Sequence, residues 1–169
     1  MLWHGEILTE DRKIVTIKSL ISNLIKGDLS MTNKIFLALM ETQAAHWTQS
    51  RKEFQKLSLS DGQPKILYIL REFNGCVQKD LADMCKIKPS TMTVLLDRLE
   101  KEGYIEKSPV FVSGGKRAKG IFLTDTGRAM ADKVYFLMEE LEHKSLAGFS
   151  EAEKQALFLM LERITGNLE

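Results

Sequence analysis

Two groups of residues have types and spacings that point to chemistry. Ser90, Thr91 and Thr93 crowd the start of one apolar-striped segment, and Lys116, Arg117 and Lys119 follow a little downstream. Short hydroxyl side chains at the start of a helix let its backbone approach a base-pair edge while offering donors and acceptors, and the helix N-terminus itself attracts phosphate. Clustered cations suit a polyanion. Covalent chemistry finds no such support: the sequence has no GxSxG, no HExxH, no paired Cys/His spacing and no glycine-rich loop leading from a strand into a helix. Ser113-Gly114-Gly115-Lys116 lacks the GxxxxGK[ST] spacing of a phosphate loop. His4, His46 and His143 are scattered, so no catalytic residue, metal or cofactor is expected. Cys76 and Cys85 form no CxxC pair and read as reduced thiols, Cys85 packing on an apolar face and Cys76 near a helix start where a thiolate is favoured.

The elements that must position these residues follow from composition and periodicity. With 169 residues, 44% hydrophobic and 28% charged, the chain is expected to form one compact unit with its own core. The net charge of +1 conceals an asymmetry: residues 78–120 carry nine Lys/Arg against six Asp/Glu, whereas residues 125–169 carry five against nine. One basic segment facing a polyanion fits that division. No window has the length of apolar sequence a membrane span needs, and the N-terminus lacks the order of a signal peptide, so a cytoplasmic protein without membrane contact is expected.

Ile14, Ile17, Leu20, Ile21, Leu24 and Ile25 recur at helical spacing before Gly27, predicting an amphipathic helix over about residues 10–26. Ser30 can cap a second helix running toward Phe54 and ending at Leu57-Ser58-Leu59. Ser60 and Gln63 have capping-box spacing, Pro64 falls in a first turn, and Ile66, Leu67, Ile69, Leu70 and Phe73 form a stripe expected to be buried. Gln78 to Cys85 reads as a short helix, Lys86-Ile87-Lys88 as a tight turn, and Pro89 as the first position of another helix. There Met92, Leu95, Leu96 and Leu99 take one face, leaving Ser90, Thr91, Thr93, Val94, Asp97, Arg98 and Lys101 outward. After Gly103, strands at Val110–Val112 and Ile121–Leu123 flank a turn over residues 113–120 with the three cations near its tip. Thr124-Asp125 restarts a helix whose seam is Met130, Val134, Leu137 and Leu141; Ser150 and Glu153 open the last one, carrying Leu157, Met160, Leu161 and Ile164. The expected fold is mainly α with a small β wing: a winged helix-turn-helix domain over 57–124, flanked by helices of 1–56 and 125–169. Those terminal seams expose more apolar stripe than one small domain can cover, which predicts a homodimer.

Taken in order, Leu57-Ser58-Leu59-Ser60-Asp61-Gly62-Gln63-Pro64-Lys65-Ile66-Leu67, Gln78-Lys79-Asp80-Leu81-Ala82, Pro89-Ser90-Thr91-Met92-Thr93, Asp97 to Ile105, and Lys116-Arg117 with Leu123-Thr124-Asp125-Thr126-Gly127 resemble the MarR family of transcriptional regulators. The resemblance implies a homodimeric repressor on double-stranded, pseudo-palindromic operator DNA, released by a small-molecule effector or an oxidant. The DNA-facing set is then Gln78, Lys79, Lys88, Pro89, Ser90, Thr91, Thr93, Val94, Arg98, Lys116, Arg117 and Lys119. His46, Trp47 and Phe54 are candidates to line an effector cleft, against the plainer reading of such aromatics as core or interface. Two positions depart from the family pattern: Gly115 stands where an acidic residue usually precedes the wing arginine, and Val94 where a basic residue is frequent. The alternatives are a winged-helix module that binds protein, a small enzyme, and a zinc-responsive regulator whose ligands come from separate elements.

Overall fold

A computed structural model describes residues 6–8, 14–16, 31–112 and 114–169. The chain divides into two compact units, residues 1–49 and 50–169. In the first, β1 (Glu6–Leu8) pairs antiparallel with β2 (Ile14–Thr16), Ile7 opposite Val15. The helix expected over about 10–26 is therefore not present at Ile14–Thr16. Ile14, Val15 and Thr16 are all β-branched, and their stiff χ1 angles suit a strand better than a helix. The rest of that stretch, residues 10–13 and 17–26, lies outside the described residues, as does Gly27. Helix α1 spans Met31–Lys56, as the Ser30 start and Leu57 stop predict.

The second unit is built around a core of Leu59, Ile66, Leu67, Leu70, Leu81, Met92, Leu96, Leu99, Ile105, Ile121 and Val134, with Cys85 among them. Helix α2 (Gln63–Glu72) has Pro64 in its first turn and sends Ile66, Leu67 and Leu70 into that core. Phe73, expected in the same stripe, is instead exposed. It occupies the C-cap at φ −113° and ψ 48°, so helical periodicity no longer sets its direction. The Ser60–Gln63 capping box forms only half. Gln63 Oε1 accepts from the Ser60 amide at 2.7 Å and from its hydroxyl at 2.8 Å, but Gly62, at φ 92°, is the N-cap and no side chain caps the helix.

Helix α3 (Gln78–Met84) and helix α4 (Pro89–Lys101) form the helix-turn-helix, with Lys86 in the turn at φ 50°. Met92, Leu96 and Leu99 are fully buried, which fixes the rotation of α4; each such side chain contributes about 1.5–3 kcal/mol on leaving water. Strands β3 (Ile105–Val112) and β4 (Lys116–Leu123) form an antiparallel hairpin, Ile105 opposite Leu123 and Val112 opposite Lys116. The pairing runs further than the sequence suggests. Val112 already pairs with Lys116, because Gly114 (φ 79°) and Gly115 (φ 71°) reverse the chain in little space, and Lys116, Arg117 and Lys119 lie on β4 rather than in a turn. The base of the hairpin is tied to the end of α2 by Gly75 N–H donating to Ile121 O at 2.8 Å and Ile121 N–H to Cys76 O at 2.9 Å.

Helices α5 (Asp125–Ser145) and α6 (Glu151–Gly166) complete the chain. Thr124 caps α5 by accepting from the Gly127 amide at 2.9 Å, and α6 opens with a full Ser150–Glu153 capping box. α5 is fastened to α2 by Arg71, whose Nε donates to Asp132 Oδ1 at 2.8 Å while its guanidinium lies 4.2 Å from the Tyr135 ring centre. α6 has no buried residue, and Phe158, Leu159, Met160 and Leu161 are all exposed. No helix among the described residues is long and apolar enough to cross a membrane.

Candidate nucleic-acid interface

Because Met92, Leu96 and Leu99 set the phase of α4, the opposite face is fixed as Ser90, Thr91, Thr93, Val94, Asp97, Arg98 and Lys101, all exposed. Val94 is 68% exposed on the N-terminal half of the helix, where nothing in its own fold requires an apolar side chain. Ser90 and Thr91 sit in the first turn, with Pro89 at its start. Thr93 is already engaged: its hydroxyl donates to Pro89 O at 3.1 Å and accepts from Gln78 Nε2 at 2.8 Å. A hydroxyl used in both directions has one acceptor lone pair left, so Thr93 can receive a hydrogen bond from a ligand and cannot donate one. Gln78 thus joins the start of α3 to the start of α4.

The outer face of α4 also carries carboxylates, which would repel phosphate unless neutralised. Lys107 on β3 reaches back to Asp97 Oδ1 at 2.7 Å and Glu100 Oε2 at 2.8 Å. Burial works against its charge, but the hydrogen bonds to Asp97 and Glu100 outweigh burial and hold the ammonium above its ordinary pKa. Glu102 is met by Arg98 Nε at 2.9 Å, and its second oxygen accepts from the fully buried Gln63 at 2.7 Å. Arg98 is therefore held by Glu102 rather than extended outward. Lys107 was not among the residues singled out from sequence, although the signal was there. It lies two positions after Ile105 and so shares a face with a residue that enters the core, where a lysine must meet an anion.

Lys79 and Lys88 on the helix-turn-helix, and Lys116, Arg117 and Lys119 on β4, are exposed and make no ion pair among the described residues. Cross-strand pairing places Arg117 opposite Phe111 and Lys119 opposite Pro109. The unengaged cations thus border the hydroxyl-bearing start of α4 in sequence order and stand on the adjoining hairpin.

The remaining candidates separate. Phe54 packs against the core of the second unit, while His46 and Trp47 are exposed on the part of α1 that belongs to the first. No group of three or more His, Cys, Asp or Glu among the described residues is placed to hold a metal. Cys85 is fully buried, and burial pushes its thiol up to about 11; burial, then the nearby Asp80 carboxylate, raise Cys76 as well. Neither thiol has the depressed pKa of a redox-sensing cysteine. With the folded value above the unfolded one, the stability that burial of Cys85 contributes is intact below the free thiol's pKa, about 8.5. It is lost as pH climbs toward 11. Iodoacetamide at pH 8 should therefore leave Cys85 of the native protein unmodified and label it on unfolding, and mass spectrometry showing prompt native alkylation there would contradict this assignment.

A helix-turn-helix whose second helix offers short hydroxyls at its N-terminus, followed directly by a basic hairpin, defines a winged helix-turn-helix DNA-reading module. Comparison with known proteins agrees. The sequence model of the MarR family matches residues 59–110. The HTH-type transcriptional regulator YybA of Bacillus subtilis is 35% identical over 124 residues, covering 71% of this chain and 79% of that protein. The HTH-type transcriptional repressor IacR of Pseudomonas putida is 27% identical, covering 73% of each. Among solved structures, a MarR family regulator from Listeria monocytogenes complexed with a 26mer DNA superposes with a TM-score of 0.67 at 27% identity, over 83% of this chain and 89% of that one. The chain belongs to the MarR family and is a helix-turn-helix transcriptional regulator.

Proposed function

We propose that the chain acts as a homodimeric repressor that reads a pseudo-palindromic operator, with residues 57–124 on the DNA and segments from 1–56 and 125–169 forming the dimer. The observation that carries this reading is the exposed face of α4. Ser90, Thr91, Thr93 and Val94 are presented together, the helix's own carboxylates are neutralised by Lys107 and Arg98, and Lys79, Lys88, Lys116, Arg117 and Lys119 remain available for phosphate. In this reading Ser90 and Thr91 meet base edges, Thr93 accepts a donor, Val94 touches a thymine methyl, and Gln78 orients Thr93. The exposed Phe36 and Met40 of α1, and the exposed Phe158 and Leu161 of α6, are the apolar surfaces that a second copy covers. Two copies related by a two-fold axis require an operator with two-fold symmetry. The repressor IacR and the DNA-bound Listeria protein support the reading by likeness. A small molecule, with His46 and Trp47 as candidate contacts, is the favoured effector over an oxidant, since burial raises the pKa of both Cys85 and Cys76 and so suppresses both thiolates. Cytoplasmic placement follows from action on DNA.

Selection from a random-sequence duplex library should yield a palindromic consensus bound by a dimer in sedimentation. Arg117→Ala should weaken binding on every duplex and lower the salt slope by about one ion. Failure of the wild type to enrich any duplex would remove the DNA-reading function and leave the protein-binding alternative.

A further inference from the structure

The hairpin carries one side chain that binding by charge alone does not use. Phe111 is 74% exposed at the outer end of β3, next to the loop. An exposed phenylalanine near a strand end gives up the gain of burial and leaves a sticky edge, so its position calls for a partner. Register identifies the face it occupies. Phe111 lies opposite Arg117 and Pro109 opposite Lys119, so these residues stand on one side of the ribbon. At its base that same side bears the buried Ile105 and Ile121, and in its middle Lys107, which reaches Asp97 and Glu100 of α4. Phe111 therefore stands on the side of the hairpin turned toward α4.

We propose that Phe111 is an apolar DNA contact, its ring lying against the deoxyribose walls of the minor groove beside the Arg117 guanidinium. The inference rests on the DNA-reading function proposed above and adds a salt-independent part to it. Its charge surroundings select this occupant. Lysine is depleted at the apolar centres of protein interfaces, whereas an aromatic ring between unpaired Arg and Lys matches a groove whose rim is phosphate and whose walls are sugar C–H. Arginine favours the negative potential of a narrow minor groove, and an adjacent apolar wedge strengthens contact where the duplex deforms easily.

The test uses a labelled duplex enriched from a random library by the wild-type dimer, with fluorescence anisotropy over a range of salt concentrations. Phe111→Ala should lose about tenfold in affinity at every salt concentration with the slope unchanged, the signature of lost apolar contact without lost counterion release. Phe111→Leu should lose roughly threefold, since it keeps part of the buried area. Both should melt like the parent because the ring supports nothing in the fold. If Phe111→Ala melts lower, Phe111→Leu carries the test. Parent affinity in both variants would overturn the proposal. So would a slope reduced as in Arg117→Ala, which would make Phe111 merely a support for the guanidinium. No duplex enriched by the wild type would instead be a failure of the DNA-reading function itself.

Discussion

Gly127→Ala should cost about 3 kcal/mol or more of stability, the largest loss expected from adding a methyl group at any of the described glycines. A Cβ at this position would lie 1.7 Å from Tyr104 O and 2.7 Å from Tyr104 C, both backbone atoms. A flexible side chain could swing aside; a carbonyl at the junction of α4 and β3 cannot, because it is held in place. Tyr104 O accepts from the Thr124 amide at 3.1 Å, Thr124 Oγ1 donates to Gly103 O at 2.7 Å, and the same oxygen accepts from Gly127 N–H at 2.9 Å. One methyl therefore forces the start of α5 away from the start of the hairpin and breaks the cap together with both junction bonds. Losing the cap alone is worth about 1 kcal/mol. A melting temperature lower by roughly 10 °C in calorimetry is expected. Gly166→Ala, where an added Cβ meets nothing within 4 Å, serves as the tolerated control. Parent-like melting of Gly127→Ala would mean that the close approach of α5 to Tyr104 does not exist in solution.

That junction shows how far the sequence could be read. Leu123-Thr124-Asp125 announced a hydroxyl cap and an acid in a first turn, and the cap is present. What the string could not reveal is the partner across the chain, since a glycine two residues after the acid gives no indication that a carbonyl from Tyr104 presses on it. The same division holds at α4. The phase of its faces was legible because Met92, Leu96 and Leu99 repeat at helical spacing and the core takes all three. The neutralisation of its acids was not, because Lys107 meets Asp97 and Glu100 only once the hairpin folds back. Gln63 is a sharper case: its spacing from Ser60 suggested a local cap, yet it is buried and bridges Ser60 to Glu102, a partner 39 residues away. The strand at Ile14–Thr16 was misread for another reason. Ile14 and Ile17 match a helical repeat, but a short apolar run fits either period, and β-branching decided it locally.

The other large effect expected is on sequence reading, through Thr91. A helix with its side chains is about 10–12 Å across, and the major groove is about 12 Å wide, so a helix enters deeply only where its groove-facing side chains are short. Thr91 is exposed in the first turn of α4, beside Ser90 and with Pro89 leaving no amide at the start that needs a partner. Thr91→Tyr places a ring where the helix must approach most closely, lifting α4 by several ångströms when hydrogen bonds to base edges tolerate a few tenths. On the proposed reading, every direct base contact should then be lost together, while Lys79, Lys88, Lys116, Arg117 and Lys119 should keep their hold on phosphate. Affinity for the selected operator should fall by about 10³-fold or more, to the level of random duplex, with most of the salt dependence retained. Folding should be untouched, within about 0.5 kcal/mol, because Thr91 points away from Met92, Leu96 and Leu99. Thr91→Ser, which keeps the hydroxyl and stays small, should bind close to the parent. If Thr91→Tyr still distinguishes the selected operator from random duplex in a competition gel shift, α4 does not enter the groove by its N-terminal face and the assignment of base-reading residues is wrong.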